Sequence, residues 1–520
     1  MTSLYRVNYQ LRPHRRDELI EFIKSTLVST FVLQGDRSVY ERTFQTIEDL
    51  MDEHRALAAV GDETPSRLKE LIPTIGYFFT ELKLVEAFRH YDSLYRVTLR
   101  KHIPISFNDI RHILNIAQAH AIAPNLKLIT FDGDQTLYPD GDNFREGGLG
   151  RIICKLMEAG LCVAVVTAAG YANSPEKYEA RLDGLLQMFR DRNLPPEVLS
   201  KFYVLGGECN YLFKTDKDAH LYTVPDEEFN LPQMKEWKQN EIDTVLDMSQ
   251  ASLVATLKEL QLPAMVIRKT RAVGMIRVHH KAYISRENLD EAVLRCKAEL
   301  AKTNVSIPYC AFNGGSDAWV DIGNKSLGVK VMQRVTGACA STTLHVGDQF
   351  LSTGNDFMAR SACTTAWITS PRETRDILTI LLNCLGHNIT RDLPWRGPSR
   401  KISLNVICDS ANDDDVVLVG EKEELGNWNP MQAPKFTRDP DTPGLFTFIV
   451  RPKSGEELPY KLARVSPEGK VVAWMRDKDL YLLPQPMEKT VTIHWQENEK
   501  DDVCADSAQE ENAVVLKKTE

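Results

Sequence analysis

The sequence lacks closely spaced cysteine pairs: its ten cysteines are scattered, and no C-x-x-C occurs. Most of them stand in apolar strings, which is typical of reduced core thiols and argues against a disulfide framework or a cysteine-based zinc site. The sequence also lacks a run of about twenty apolar residues that could span a bilayer. Its first residues lack the apolar core of a secretory signal. We therefore expect a cytoplasmic protein with no membrane partner.

An excess of positive charge is also missing. The formal net charge is −9, so no general attraction to nucleic acid or to anionic membranes is expected. A hydrophobic content of 43% and a charged content of 26% are those of a soluble globular protein. The chain has 520 residues without an internal repeat or low-complexity tract, which predicts about three or four domains.

The most informative segment is an apolar strand, residues 126–131, that ends in Asp132-x-Asp134-x-Thr136. Residues two apart on an extended chain point the same way, so both carboxylates are directed at one spot beyond the carboxyl end of the strand. Ligands bind there in open α/β sheets. A hard cation such as Mg²⁺ relieves the repulsion between the two acids, and a carboxylate beside it can attack phosphorus. The alternative is a Gly-Asp turn with solvated acids.

The pattern along the chain divides it into six parts. Helical spacing dominates first, in residues 18–28, 68–85 and 110–119. Uninterrupted apolar strands joined by a helix follow and predict a parallel sheet, interrupted by an insertion and succeeded by a proline-containing linker at 391–400 and short β strands. The predicted parts are a helical region 1–118, a core segment 119–172, an inserted cap 173–318, a second core segment 319–395, a β-sandwich 396–496 and a disordered tail 497–520.

Three more signals follow the acidic pair in chain order. Thr167 ends the next apolar strand and precedes small residues, so backbone N–H groups there can approach a phosphate. Lys325 supplies a cation that can hold a phosphoryl oxygen. Asp348 ends a further strand and is followed by Asn355 and Asp356. Each signal has an ordinary alternative: a structural threonine, a surface lysine and a turn.

This order of motifs resembles the haloacid-dehalogenase superfamily of phosphohydrolases. The resemblance implies an α/β fold: a Rossmann-like parallel sheet core with an inserted α+β cap, beside the N-terminal helical domain and the C-terminal β-sandwich. It also implies the roles of the site residues. Asp132 would be the nucleophile and Asp134 the acid and base. Mg²⁺ would be held by Asp132, the Asp134 carbonyl and Asp348, and its surroundings oriented by Asn355 and Asp356. Thr167 and Lys325 would bind the phosphoryl group.

Longer stretches narrow the resemblance to the IMP-specific 5′-nucleotidase family. They are residues 131–141 (FDGDQTLYPDG), 202–213 (FYVLGGECNYLF), 313–325 (NGGSDAWVDIGNK) and 106–115 (SFNDIRHILN). The resemblance covers about residues 10–390 and implies hydrolysis of IMP to inosine and phosphate in purine salvage. It implies nucleotide contacts for Asp140 and Asp317, beside Asp134, Thr167 and Lys325. It further implies a homotetramer regulated by a purine nucleotide, with His112 as an effector contact. From the residues alone, Asp140 is a turn acid and His112 a half-buried helix histidine.

Aromatic residues in the predicted cap leave two possibilities open. Phe202, Tyr203, Tyr211 and Phe213 could stack on a nucleobase, or they could belong to a hydrophobic core. Spacing alone does not identify the base.

The last part of the chain has a different signature, which includes residues 416–430 (VVLVGEKEELGNWNP). Tryptophan faces stack well on sugar rings, and a lysine can hydrogen-bond sugar hydroxyls. Residues from about 400 to 495 resemble a starch-binding module of carbohydrate-binding family 20, in which Trp428, Lys461 and Trp474 match the main glucan-binding positions. The stretch after Trp474 departs from that family, which puts its second glucan site in doubt. The alternative is that both tryptophans fill a small β core.

We therefore predict a cytosolic Mg²⁺-dependent 5′-nucleotidase for IMP that works through an aspartyl-phosphate and carries a starch- or glycogen-binding module. Two alternatives stay open. One is a sugar- or glucan-phosphate phosphatase to which the C-terminal module delivers the substrate. The other is a glucan-bound scaffold without activity, against which the complete set of acidic residues and Lys325 argues.

Overall fold

The structure is a computed structural model that divides the chain into two compact units, Met1–Asn388 and Ile389–Glu520. Two predicted segments, the linker 391–400 and the tail 497–520, lie outside the residues it describes. The described residues are 17–33, 36–60, 65–145, 147–172, 174–279, 281–303, 305–387, 402–408, 414–420, 422–440, 442–451, 458–475, 480–482 and 489–495.

The first unit contains helices at both ends and between its strands. Several helices begin at residues whose side chains accept backbone N–H groups: Asp17 accepts from Ile20, and Ser106 and Asp109 form a capping box. The helices are α1 (Glu18–Val32), α2 (Arg37–Ala59), α3 (Arg67–Leu71), α4 (Leu84–Tyr95), α5 (Phe107–Ile122), α6 (Gly147–Glu158), α7 (Pro175–Asp191), α8 (Pro196–Leu199), α9 (Asp226–Phe229), α10 (Pro232–Lys235), α11 (Gln239–Glu259), α12 (Arg286–Leu300), α13 (Lys325–Thr336) and α14 (Pro371–Cys384).

The strands of this unit form two sheets. They are β1 (Leu128–Phe131), β2 (Cys162–Val166), β3 (Phe202–Gly206), β4 (Tyr211–Thr215), β5 (Leu221–Thr223), β6 (Ala264–Arg268), β7 (Ala272–Arg277), β8 (Tyr309–Asn313), β9 (Ala318–Ile322), β10 (Thr343–Gly347) and β11 (Thr364–Trp367). The larger sheet has the order β11-β10-β1-β2-β3-β4-β5 and the smaller one β6-β7-β9-β8.

The seven-stranded sheet is parallel from β11 to β3, while β4 and β5 are antiparallel. Strands β1 and β10 are buried along their whole length, as expected for strands covered on both faces. Helix α13 contacts β1 and β2, and α6 also contacts β2. The predicted α/β fold with a parallel core is confirmed.

The four-stranded sheet is antiparallel and packs against α11 and α12 around its own hydrophobic core. In β9, Ala318, Val320 and Ile322 belong to that core. Because side chains alternate along a strand, Asp317 and Trp319 face the other side. This sheet, with α11 and α12, is hereafter called the cap.

The position of the cap in the chain differs from the predicted boundaries 173–318. Strands β3, β4 and β5 lie within those boundaries but extend the core sheet. Strand β9 was predicted to belong to the second core segment from 319 onward, but it pairs with β7 and β8 in the cap. Each of these strands is a short apolar run, and the run alone does not say which sheet it joins.

The helical predictions hold except for residues 68–85. There the helix α3 ends at Leu71, and the chain is irregular until α4 begins at Leu84. Pro73 cannot continue a helix and disfavours helical geometry at the residue before it. The remaining helices of this region pack around one core that includes Phe44 and Phe88.

The second unit is a sandwich of two β sheets, as the sequence predicts. Buried residues of both sheets, including Leu404 and Leu418, share one hydrophobic core. One sheet has the order β14-β15-β12-β19, and the other has β13-β16-β17 with β18 paired to β16. The strands are β12 (Ile402–Ile407), β13 (Asp415–Gly420), β14 (Thr437–Arg438), β15 (Leu445–Val450), β16 (Leu458–Val465), β17 (Val471–Trp474), β18 (Leu480–Leu482) and β19 (Lys489–His494).

Two sequence-level expectations concern cysteines and membranes. Cys154, Cys209, Cys296, Cys310 and Cys363 are buried free thiols, as expected for core cysteines. Among the described residues, none of the helices combines the length and the apolar character that a bilayer-spanning segment needs.

A buried ion pair joins the helical region to the core. The guanidinium of Arg111, which is 2% exposed, lies 2.7 Å from a carboxylate oxygen of Glu373 and donates to the carbonyl of Trp367 at 2.6 Å. Burial alone would raise the pKa of Glu373, but His112 and Arg111 outweigh it and hold this pKa well below its usual range. Helix α5 is thereby tied to α14 and to the end of β11.

We expect Arg111→Met to lower the free energy of unfolding by about 3–5 kcal/mol, because it leaves the Glu373 carboxylate without its guanidinium. Urea unfolding at pH 7 measures this loss. Since the folded-state pKa of Glu373 is lowered, the contribution is present above about pH 4.5 and is lost as pH falls through the folded-state pKa. Arg67→Met, which removes the exposed ion pair with Glu53, is the control and should leave unfolding nearly unchanged. Equal effects of the two substitutions would contradict the prediction.

Candidate active site

The carboxyl ends of the parallel strands meet at one edge of the core sheet, hereafter called the acidic edge. Asp132 follows β1, Thr167 follows β2, Glu208 lies two residues past β3, and Asp348 follows β10. The backbone N–H of Asp132 donates to Val346 at 2.9 Å, which continues the β1–β10 pairing into the site. Because β1 and β10 are adjacent and parallel, the acids that follow them are neighbours.

Lys325 lies between two carboxylates. Its Nζ is 2.5 Å from Asp132 Oδ1 and also hydrogen-bonds Asp356 Oδ1. Lys325 and Asp356 are both 0% exposed. The lysine is the first residue of α13, whose N-terminus is capped by Asn324, so the helix start fixes where the lysine stem begins. A buried ammonium ion of this kind requires paired carboxylates.

The pKa values follow from burial and from this pairing. Burial raises the pKa of Asp132 to about 7 against the opposing effect of Lys325. Burial alone would lower the pKa of Lys325, but Asp132 and Asp356 outweigh it and keep the ammonium charged. Burial would raise the pKa of Asp356, but Lys325 and His345 hold it well below its usual range. Burial and the neighbouring acids raise the pKa of Asp348 well above its ordinary value.

Asp132, Asp348 and Asp356 can hold a metal ion, because one oxygen of each lies within 4.8 Å of the others. Some buried oxygens around them have no hydrogen-bond partner among the described residues, including Asp348 Oδ1 and Asn355 Oδ1. Asn355 donates its amide to Glu208 at 3.1 Å, which leaves its carbonyl oxygen free. Unpartnered buried carboxylate and amide oxygens are the ligands that a hard divalent cation takes. The site therefore fits a divalent metal.

Asp134 and Thr167 lie beside Asp132. Burial raises the pKa of Asp134, while the backbone N–H of Gly141 donates to its Oδ1 at 3.0 Å. A Cβ atom on Gly133 would stand 3.4 Å from Thr167 Oγ1 and 2.4 Å from the Tyr138 hydroxyl. The clash is with the buried Tyr138, so a side chain at position 133 would force this tyrosine to move, while Thr167 is at ordinary contact distance.

Asp140 and Asp317 approach each other from the core and the cap. Burial and Asp317 raise the pKa of Asp140, and burial raises the pKa of Asp317, with Asp134 adding to it. A Cβ atom on Gly315 would stand 3.5 Å from Asp140 Oδ2, so the loop before β9 passes directly over Asp140. The cap therefore places an acid, Asp317, near the acidic edge.

Of the four aromatic residues that the sequence pattern singles out, Tyr211 alone is not buried: it is half-buried at the start of β4, where a Cβ atom on Gly170 would stand 3.7 Å from its ring. Phe202, Tyr203 and Phe213 are buried in β3 and β4 of the core sheet, which agrees with the core alternative. The aromatic ring on the open face of the cap is Trp319, with Lys269 Nζ 4.4 Å from its centroid. The same ammonium lies 5.8 Å from the ring of Tyr171 in the loop after β2. Alternation with the apolar residues of β9 would have identified Trp319 from the sequence.

The sequence reasoning also missed two buried polar residues, Glu208 and His345. Glu208 is 0% exposed, burial raises its pKa well above the ordinary value, and it hydrogen-bonds Asn355. His345 is 0% exposed in the middle of β10 and lies 3.1 Å from Asp356. A polar residue inside an apolar strand or its end was the available signal for both.

His112 lies in α5, away from the acidic edge. Its ring stacks on Tyr91 at 5.9 Å, and its Nε2 is 3.4 Å from Glu373. It adjoins the ion pair of Arg111 and Glu373. A separate cavity of about 620 Å³ is lined by residues of the helical region and of the core, including Arg111, Phe350 and Trp367, but by none of the predicted site residues.

The predicted glucan residues lie in the second unit, where Lys461 and Trp474 belong to one sheet and Trp428 lies in a turn. Lys461 pairs with Val419 and Trp474 with Ala463, so Lys461 and Trp474 project from the same face. Trp428 donates its backbone N–H to Gly420, at the end of β13, at 2.8 Å. Trp428 is 39% and Trp474 is 37% exposed, so neither fills the core of the sandwich.

Comparison with known proteins gives two family matches. Residues 1–378 match the family model for IMP-specific 5′-nucleotidases, and residues 400–503 match the model for the starch-binding domain. IMP-specific 5′-nucleotidase 1 of Neurospora crassa is 41% identical over an alignment of 436 residues, which covers 75% of this chain and 100% of that protein. The protein of that name from Plasmodium falciparum is 38% identical and is matched over 71% of this chain and 84% of its own.

Solved structures of the Plasmodium falciparum IMP-nucleotidase resemble this one. An N-terminally truncated form with IMP bound has a TM-score of 0.68 at 38% identity, covering 71% of this chain and 96% of that chain. A form with ATP bound has a TM-score of 0.65 at 38% identity, covering 73% of this chain and 87% of that chain. The acidic edge described above thus lies in a chain that matches these proteins over most of their length. The chain belongs to the IMP-specific 5′-nucleotidase family.

Proposed function

We propose that this chain is a Mg²⁺-dependent 5′-nucleotidase that hydrolyses IMP to inosine and phosphate. The observation that carries the proposal is Lys325 paired with Asp132 beside further acids at the strand ends. That arrangement suits phosphoryl transfer, which needs an oxygen nucleophile and positive charge held close together. The identity of about 40% to proteins named IMP-specific 5′-nucleotidase supports IMP as the substrate.

In this proposal Lys325 and Thr167 bind the oxygens of the phosphoryl group. Lys325 offers three N–H donors and a full charge, and Thr167 offers a hydroxyl beside Gly133. Asp140 and Asp317 contact the nucleoside part. The closeness of these two acids, one from the core and one from the cap, supports a location of the substrate between core and cap. Closure of the cap over this edge would exclude water from the first step.

The first step transfers the phosphoryl group to the enzyme. A carboxylate oxygen of Asp132 forms a bond to phosphorus while the bond from phosphorus to the 5′ oxygen breaks. Asp134 gives its proton to that oxygen as inosine leaves. Burial raises the pKa of Asp134, which supports a protonated carboxyl at the start of this step.

The second step releases phosphate. Asp134, now a carboxylate, takes a proton from water as the water oxygen bonds to phosphorus. The bond between phosphorus and the Asp132 oxygen breaks, which restores the carboxylate and the protonated Asp134. Lys325 stabilises the charge on the phosphoryl oxygens in both steps.

The metal of this proposal is Mg²⁺, held by the carboxylates of Asp132 and Asp348 and by the carbonyl of Asp134. Asp356 and Asn355 orient these ligands. When bound, the ion offsets the charge of the clustered acids and of the phosphoryl oxygens. The unpartnered oxygens of Asp348 and Asn355 support this assignment.

For the second unit we propose binding to an α-glucan such as starch or glycogen through Trp428, Lys461 and Trp474. The exposure of the two indole rings and the shared face of Lys461 and Trp474 support it. Two partly exposed aromatic rings beside a lysine suit a sugar chain, which offers apolar ring faces and hydroxyl groups.

The domain boundaries are part of the proposal too. We place the helical domain at 1–118, the first core segment from 119, the second core segment from α13 to about 395 and the glucan module at 396–496. The four-stranded sheet supports a smaller cap than the one predicted, from about 225 to 323. A homotetramer, a purine-nucleotide effector near His112, a cytoplasmic location and a role in purine salvage stay predictions.

The rival function is a phosphatase for sugar or glucan phosphates. Phosphate release from IMP, glucose phosphates and phosphorylated glucan, compared at equal concentration with and without Mg²⁺, separates the two. We expect release from IMP with Mg²⁺ and little from the sugars. Faster release from phosphorylated glucan would replace the proposal with its rival, and no release from any of them would favour the scaffold.

We predict that Asp132→Asn lowers kcat for IMP more than about 1,000-fold, because an amide is not a nucleophile toward phosphorus. Phosphate release measures the loss, and circular dichroism with a melting curve checks the fold. Asp218→Asn, at an exposed loop residue, is the matched control and should keep full activity. Near-normal turnover by the Asp132→Asn protein would refute the nucleophile assignment.

Removal of divalent ions tests the metal site. We expect dialysis against EDTA to abolish phosphate release and added Mg²⁺ to restore it. Asp348→Asn should raise the Mg²⁺ concentration needed for half-maximal activity about 10–100-fold, because it removes a charged ligand. Isothermal titration with Mg²⁺ gives a reading independent of turnover. Full activity in EDTA would contradict the assignment.

Trp474→Ala should abolish sedimentation with insoluble starch while leaving hydrolysis of IMP unchanged, because it removes a stacking face from the second unit alone. Ile449→Ala, which removes an exposed apolar side chain from the other sheet, is the control. A wild-type chain that stays in solution with starch would end the glucan proposal. Equal loss of binding in the two variants would argue against the assigned face.

A further inference from the structure

Two polar residues face each other inside the parallel sheet, behind the acidic edge. Thr130 of β1 and His345 of β10 are register partners, and both are 0% exposed. Thr130 Oγ1 and His345 Nδ1 are 2.9 Å apart. A buried imidazole in an otherwise apolar strand costs free energy unless it is hydrogen-bonded on both nitrogens, as it is here.

The other ring nitrogen of His345 reaches the acidic edge. Its Nε2 lies 3.1 Å from Asp356 Oδ1, the oxygen that Lys325 also contacts. The backbone N–H of Gln349 donates to Asp356 Oδ2 at 2.8 Å. A Cβ atom on Gly347 would fall 2.3 Å from that oxygen, so the chain passes tightly behind the carboxylate.

These partners leave one arrangement of protons. A carboxylate that is ion-paired to Lys325 can only accept hydrogen bonds, so Nε2 of His345 carries hydrogen. Burial lowers the pKa of His345 against the opposing effect of Asp356, which favours a neutral ring. In a neutral ring Nδ1 is then an acceptor, and the hydroxyl of Thr130 donates to it.

We propose that His345, held in place by the Thr130 hydroxyl, is a positioning residue that fixes Asp356 and thereby aims Lys325 at Asp132. The inference rests on the proposed function of the site. It assigns a role to a strand pair that does not touch the substrate. Asp356 in this account is the link: it is held by His345 and Gln349 on one side and holds the ammonium of Lys325 on the other.

Loss of the Thr130 hydroxyl would act through the position of the ring. In Thr130→Val the shape is kept, but the buried Nδ1 no longer receives a hydrogen bond. An unsatisfied buried nitrogen costs free energy, which favours a different ring orientation. His345 would then hold Asp356 less well, and Lys325 would lose its position at Asp132.

The first experiment compares Thr130→Val with Thr364→Val. Thr364 is a buried threonine of the adjacent strand β11 whose Oγ1 has no hydrogen-bond partner among the described residues, so it is a matched control. We expect Thr130→Val to lower kcat for IMP about 10–100-fold with a smaller change in KM, because Lys325 acts most strongly in the transition state. Thr364→Val should match the wild type.

The second experiment repeats Thr130→Val in a His345→Gln background. A glutamine amide can donate an N–H to Asp356 without an imidazole ring that Thr130 must hold, so His345→Gln should keep most of the activity and His345→Leu should not. Thr130→Val should then change kcat less than about twofold in the glutamine background. This non-additivity distinguishes an effect that Thr130 exerts through the His345 ring from a merely structural effect, which would lower kcat in both backgrounds.

Nitrogen-15 NMR of histidine-labelled protein gives a reading independent of turnover. The His345 signals, identified by their absence in His345→Gln, should report hydrogen on Nε2 in the wild type and a changed Nδ1 signal in Thr130→Val, where Nδ1 loses its hydrogen bond. The inference is overturned if the wild type carries hydrogen on Nδ1, or if Thr130→Val hydrolyses IMP like the wild type. A wild type that does not hydrolyse IMP at all would instead refute the proposed function, while the NMR result would still stand or fall on its own.

Discussion

The ammonium of Lys325 between the carboxylates of Asp132 and Asp356 is the interaction on which the acidic edge depends. Burying a lone charge costs several kcal/mol, and so does burying two acids side by side. The two ion pairs of Lys325 offset these desolvation costs, and they also hold the three side chains in place. A phosphomonoester adds negative charge to this edge, which the lysine and a divalent cation can balance. The same charges that make the site possible therefore also make it a phosphate site.

The fold supplies what this cluster needs: adjacent parallel strands whose ends meet, and polar groups behind them. Gly347 makes room for Asp356, while Asn324 starts the helix that carries Lys325. The cap adds a second surface, with Asp317 and Trp319 on the face opposite its hydrophobic core. Core and cap thus have different roles in the proposed reaction, since the core binds the phosphoryl group and the cap contacts the nucleoside.

The second unit has its own core and its own exposed aromatic face. Its two sheets enclose the apolar residues, while Trp428 and Trp474 are left partly exposed. A partly exposed indole ring offers a flat apolar face on which a sugar ring can stack. A family member that also carries a glucan module would keep nucleotide hydrolysis and carbohydrate binding on one chain.

The acids at the ends of β1 and β10, Thr167, Lys325 and the β-sandwich could be predicted from the sequence, because strand ends and apolar periodicity are local properties that short patterns record. The folded chain was needed to see that β3–β5 extend the core sheet, that β9 belongs to the cap, and that His345 lies behind Asp356. Those facts depend on pairing between residues far apart in the chain. A short apolar run can join either of two sheets with similar burial, so only the pairing of the whole chain determines which sheet it joins.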